Sequence, residues 1–157
     1  MKMLRLILCA ILPAAAGCAS ITGGDTVSKE TSAEFARAEQ LAAESLTLSR
    51  LRALERSLSD FERAEGKVPS NLDALIPKYL AEIPEAVLAV RDHKDSNSVR
   101  NYPSGVISNG MINGAKLRDR GGWGYAFNSG RAIIFVNCTH ATRGGQPWYR
   151  MGTGIGR

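Results

Sequence analysis

The run "AEFARAEQLAAESLTLSRLRALERSLSDFERAE", residues 33–65, contains neither proline nor glycine. Ala, Leu, Glu and Arg dominate it, and these residues lose little on entering a helix. Ser32 stands where an N-cap is needed, and Gly66, with Pro69 just beyond, supplies the usual stop. The pattern predicts one helix over 33–65. At 1.5 Å per residue it measures about 50 Å, whereas a compact domain of this size is about 30 Å across. Either one end projects or the helix breaks, and the break would fall in the serine-containing segment 45–49.

The two halves of the helix differ in what they can bury. Leu51, Leu54, Leu58 and Phe61 fall at i, i+3, i+7 and i+10, one stripe of a 3.6-residue period, and are the expected core face. Phe35, Ala38, Ala42 and Leu46 lie on a face rotated by about a third of a turn. That half is expected to project and to offer a surface to a partner.

After the helix, "GKVPSNLDALIPKYLAEIPEA" reads as a short second helix capped by Ser70, with Leu72, Leu75 and Ile76 inward. Tyr79, Leu80 and Ile83 continue the apolar pattern to Pro84. Residues 91–122 are rich in Asn, Ser, Gly, Arg and Asp, with 106–107 and 111–112 as short strand candidates. They read as a long exposed connection, too long to be idle. The period then switches to two: Trp123, Tyr125 and Phe127 alternate with small residues, Asn128-Ser129-Gly130 turns, and "RAIIFVNC" pairs back. A β-hairpin is expected over 123–138, with a third strand near 146–151. The tail "GTGIGR" follows no strand and opens no helix, so its glycines are not a nucleotide-binding turn.

The N-terminus has the organisation of an export signal. Lys2 and Arg5 precede the apolar run 6–12, which is too short for a membrane span of about 20 residues, and small residues follow to Cys18. Ala15-Ala16-Gly17-Cys18 resembles the bacterial lipobox, although the third residue before the cysteine is Ala rather than the more typical Leu. The resemblance implies that residues 1–17 are removed as a lipoprotein signal peptide and that Cys18 is acylated. Lipid chains contribute about 0.8 kcal/mol per buried CH₂, so a di- or triacylated cysteine holds a domain firmly on a bilayer. Ala19, in place of the Asp common in lipoproteins kept at the inner membrane, points to the outer membrane, with the domain facing the periplasm. The small, polar stretch 18–31 reads as a flexible tether.

The helix ending "LERSLSDFERAEGKVPSNLDALIPKYLAEIP", the loop, and "GGWGYAFNSGRAIIFVN" together resemble the globular domain of type IV pilins and, more closely, of type II secretion pseudopilins. Gly66, Pro69, Leu75, Tyr79, Leu80, Pro84, Gly122, Trp123, Tyr125, Gly130 and Asn137 carry the match, which covers about 33–138. The resemblance implies an α+β fold over 32–157: a long N-terminal helix packed on a small antiparallel sheet, with a short second helix and a long connecting loop. It implies a non-enzymatic binding or assembly module, accessory to a type II secretion or type IV pilus system, with protein partners in that apparatus. Two departures matter. No prepilin cleavage site or membrane-inserting helix occupies residues 18–31, so ordinary assembly into a pilus is not implied. Residues 139–157 contain no Asp or Glu, so the calcium site of major pseudopilins is not carried over.

Catalytic chemistry is sparse. The chain has two histidines and three cysteines and lacks His-Glu-x-x-His, Gly-x-Ser-x-Gly and phosphate-loop motifs. Cys138 and His140 are the one pair resembling a nucleophile and base, but alternation puts Cys138 beside Ile134 and Val136, as a small core residue. Asp92-His93 reads as a solvated turn. No cofactor or metal is expected. Removing residues 1–17 takes Lys2 and Arg5 with it, so the formal charge falls from +5 to about +3, and nucleic acid is not an expected partner. Arg118 and Arg120 nevertheless concentrate positive charge in the long connection and join Phe35, Ala38, Ala42 and Leu46 as candidate contact residues. The alternative reading is a small cell-envelope enzyme or a ligand- or DNA-binding domain that reuses the fold, with a pocket near Cys138 and His140.

Overall fold

The computed structural model describes residues 24–128 and 130–151. Helix α1 (Gly24–Glu65) runs unbroken for 42 residues, about 63 Å. No break occurs at 45–49. The helix also begins earlier than its N-cap candidate indicated, so residues 24–31 are helical rather than tether. Ser32 does not cap; its hydroxyl donates to Ser28 O at 2.8 Å, the back-bond of a serine inside a helix. At the other end Gly66, at φ +65°, donates its N–H to Glu62 O at 2.9 Å, closing the left-handed C-terminal cap.

The stripe Leu51, Leu54, Leu58 and Phe61 is buried as expected, and each buried Leu contributes about 1.5–3 kcal/mol. Upstream, among the described residues, burial on this side continues only through Thr47 and Ala43. Residues 28–39 are all exposed. The short second element is a single 3₁₀ turn, Leu72–Leu75, capped by Asn71 rather than Ser70, with Asn71 Oδ1 accepting from Ala74 N at 3.2 Å. Leu72 and Leu75 point into the core, whereas Ile76 is exposed.

The fold is α+β. Its main sheet has the order β1 (Val99–Tyr102), β4 (Trp123–Asn128), β5 (Arg131–Val136). β4 and β5 form the expected antiparallel hairpin, with Trp123 opposite Val136 and Asn128 opposite Arg131. The third strand is not at 146–151. It is β1, which pairs parallel to β4 with Val99 opposite Trp123, so the sheet is mixed. Pro147 opens a 3₁₀ turn, Trp148–Arg150, instead of a strand, and Trp148 is fully buried.

Both faces of this sheet are covered. One packs Trp123, Tyr125, Ile134, Val136 and Cys138 against the helix stripe. The other buries Ala126, Ile133 and Phe135 under Tyr102, Val106 and Ile112. The latter come from the long connection, which folds into a two-stranded ribbon, β2 (Ile107–Ser108) with β3 (Met111–Ile112). The connection is therefore partly core, not a loose exposed loop. A sheet buried on both faces cannot carry a side chain everywhere. A Cβ on Gly124 would lie 2.2 Å from the Phe135 ring.

Candidate functional site

Two features stand out from the fold: the unpacked half of α1, and a cluster of titratable side chains where three chain segments meet beyond the end of β5.

Phe35 is 71% exposed and Leu46 43%, and Ala38 and Ala42 are also exposed. Ala42 and Leu46 line a shallow groove with Ala43 and Glu39 of the helix and Val87, Ala89 and Asp95 of the facing segment. Phe35 and Ala38 lie nearer the helix N-terminus, outside that groove. Arg118 and Arg120 have exposed side chains. Arg120 borders a polar cleft with Asp92, His93, Lys94, Asp95, Ser96, Ser98 and Asp119, and Asp95 belongs to both depressions. Arg118 is fixed through its backbone, whose N–H donates to Tyr102 Oη at 3.0 Å. Cys18 lies outside the described residues. Among those residues no helix is long and apolar enough to cross a membrane.

The cluster begins with Cys138. Strand alternation does carry it to the side of Ile134 and Val136, and its side chain is buried. Burial pushes its thiol up to about 12, and the nearby Asp119 carboxylate pushes the same way. A thiol held neutral is a poor nucleophile. Its Sγ lies 3.5 Å from His140 Nδ1.

His93 is not in a solvated turn. Asp92 is exposed, but the chain reverses there, with His93 N donating to Val90 O at 3.2 Å, and the His93 side chain is only 5% exposed. The imidazole passes over the bare backbone of Gly121, where a Cβ would stand 3.3 Å from His93 Cβ. His93 Nε2 then comes to 2.6 Å from Asp119 Oδ1. The contact lacks hydrogen-bond geometry, so both atoms are buried without a hydrogen-bond partner.

Asp119 is aimed by its other oxygen. Oδ2 accepts from Thr139 N at 3.0 Å and from the Thr139 hydroxyl, and lies 3.4 Å from His140 Nδ1. Burial alone would raise this carboxyl. The Thr139 donors and the facing His93 outweigh it and hold the group below its usual range. The His93 and His140 rings meet edge to face, 5.1 Å between centroids. One ligating atom from each of His93, Asp119, Cys138 and His140 lies within 4.8 Å of the other three. His140 is 40% exposed, so the cluster opens to solvent on one side.

Sequence reasoning singled out Cys138 with His140, and Asp92 with His93, but placed them in unrelated surroundings. Asp119 was missed. The signal available was the presence of both histidines of the chain beside a buried cysteine, but their convergence depends on β5 ending next to the 91–93 turn.

Comparison of the chain with family models, with curated proteins and with solved structures gave no match in any of the three.

Proposed function

We propose that the chain is a lipid-anchored, pilin-like assembly module, non-enzymatic and accessory to a type II secretion or type IV pilus apparatus, held at the outer membrane through Cys18 and facing the periplasm. The observation that carries this reading is the division of α1. Its C-terminal half is cemented into the domain by Leu51, Leu54, Leu58 and Phe61, while residues 28–39 are all exposed and still present Phe35. A helix fixed at one end and bare at the other is a surface for helix packing against a protein partner. The chain order of helix, glycine turn, short helical turn and hairpin agrees with the pilin resemblance.

Acylation at Cys18 replaces the anchoring part of a pilin's hydrophobic helix without replacing its polymer-forming part, which fits a tethered accessory rather than a filament subunit. Crosslinking of the intact lipoprotein in its own cells, followed by identification of what is attached, tests the reading. Components of a secretion or pilus apparatus are the expected products, and adducts lost in Ala42→Glu locate the contact. Capture of soluble enzymes or nucleic acid alone would sink it. Palmitate labelling should disappear in Cys18→Ser.

A further inference from the structure

We propose that His93, Asp119, Cys138 and His140 form a binding site for one Zn²⁺-class transition-metal ion, which clips together the 91–93 turn, the approach to β4 and the segment leaving β5. The inference stands apart from the assembly reading and concerns a property of the domain itself.

The ligand atoms follow from what each side chain has left to do. His93 Nε2 and Asp119 Oδ1 are two of the four buried side-chain polar atoms that lack a hydrogen-bond partner among the described residues, and they face each other at 2.6 Å. Leaving either unmet is costly, and a cation between them satisfies both. Cys138 Sγ and His140 Nδ1, 3.5 Å apart, complete the set. Tetrahedral bonds of about 2.0–2.3 Å place ligands about 3.3–3.8 Å from one another. The Cys138–His140 separation, 3.5 Å, already matches, and all four ligand atoms lie within 4.8 Å of one another. The His93–Asp119 pair needs to open by less than about 1 Å.

The donor chemistry selects the ion. A thiolate, two imidazoles and one carboxylate suit zinc, whereas calcium and magnesium take all-oxygen sets. On binding, Cys138 gives up its thiol proton to solvent. The thiolate and the Asp119 carboxylate together then balance the two charges of the ion.

Outer partners are also in place. The Thr139 N–H and hydroxyl hold Asp119 Oδ2, leaving Oδ1 free to ligate. His140 Nε2, its other ring nitrogen, lies 3.9 Å from Asp92 Oδ2, so a small rotation supplies the carboxylate that ligating histidines commonly engage. Four protein ligands fill a tetrahedron, which makes the site structural, and its binding energy adds to folding.

Cobalt reports on such a site. The full chain carrying Cys9→Ser and Cys18→Ser, so that Cys138 is its sole thiol, is stripped with a chelator and titrated with Co²⁺. The expected result is one equivalent bound, with a sulfur-to-cobalt charge-transfer band and tetrahedral visible absorption, both bleached by one equivalent of Zn²⁺. Zn²⁺ should also raise the melting temperature. His140→Ala, at a partly exposed position, keeps the circular dichroism spectrum but weakens Co²⁺ binding at least about 100-fold, beyond the 10–100-fold typical of outer partners. Cys138→Ser abolishes the sulfur band. A folded chain that takes up no Co²⁺, or whose cobalt spectrum lacks the sulfur band or is unchanged in His140→Ala, overturns the proposal.

Discussion

The Thr47 hydroxyl donates to Val87 O at 2.5 Å and accepts from Val87 N at 2.8 Å, so one side chain of α1 completes both backbone groups of a residue forty positions away. Thr47 is fully buried, and one turn earlier Ala43 is the last buried residue of the helix among those described. The pair therefore marks where α1 leaves the domain. One turn closer to the core, Arg50 donates to Glu85 O at 2.9 Å and fastens the same segment.

Thr47→Val keeps the shape and removes both bonds. It leaves the N–H and C=O of Val87 without their partner in a part-buried place, at a cost of up to about 1–3 kcal/mol for each group that water does not reach. Urea unfolding should show a lower midpoint with little change in slope. An unchanged midpoint would mean that water replaces the hydroxyl.

The two halves of α1 should respond oppositely to substitution. Leu54→Ala removes a fully buried side chain between helix and sheet and should cost about 2–5 kcal/mol. Phe35→Ser changes an exposed residue, so stability should stay within about 0.5 kcal/mol while crosslinking to partners in cells falls. A loss of stability in Phe35→Ser comparable to that in Leu54→Ala would place this face in a core, against the assembly reading.

What was legible in the sequence is what local chemistry decides. The helix stripe from Leu51 to Phe61 and the hairpin around Asn128 and Gly130 are written in spacings of a few residues. β1 was not legible, because Arg100 and Asn101 give it the composition of a loop and its parallel partner lies beyond an intervening ribbon. The start of α1 was misplaced because Ser32 has the chemistry of a cap but spends its hydroxyl on Ser28. The His93–Asp119–Cys138–His140 cluster is the extreme case. Three of its segments are brought together only by the closure of the sheet, and the pair that sequence did single out, Cys138 with His140, needed His93 and Asp119 before it had any chemistry to offer.

Gly124 sits under Phe135, and no relaxation short of moving the ring accommodates a methyl group there. Gly124→Ala should destabilise the domain by about 1–3 kcal/mol, the range for overpacking. Adding Phe135→Leu should make the pair less destabilised than the sum of the single changes, read as the coupling energy of a double-mutant cycle. Strict additivity would show that the ring already yields and that the glycine is needed for another reason.

Tyr125 gives the domain an alkaline limit. Its hydroxyl donates to Pro69 O at 2.5 Å beneath the helix-to-turn junction, and burial, reinforced by Glu62, raises its ionisation above the ordinary tyrosine range. In the unfolded chain the same phenol ionises at about pH 10. Below that pH both states keep the proton, so this group leaves stability independent of pH. Above it the unfolded chain sheds a proton that the folded one retains, and stability falls by up to about 1.4 kcal/mol per pH unit until the folded-state value is reached. Tyr125→Phe should remove that share of the slope above pH 10. At neutral pH it should cost only the lost bond to Pro69 O, about 0.5–1.5 kcal/mol. Denaturant unfolding of both chains between pH 8 and about pH 11, on either side of the free-tyrosine value, measures the difference. Parallel curves across that interval would show that Tyr125 ionises as an ordinary exposed phenol.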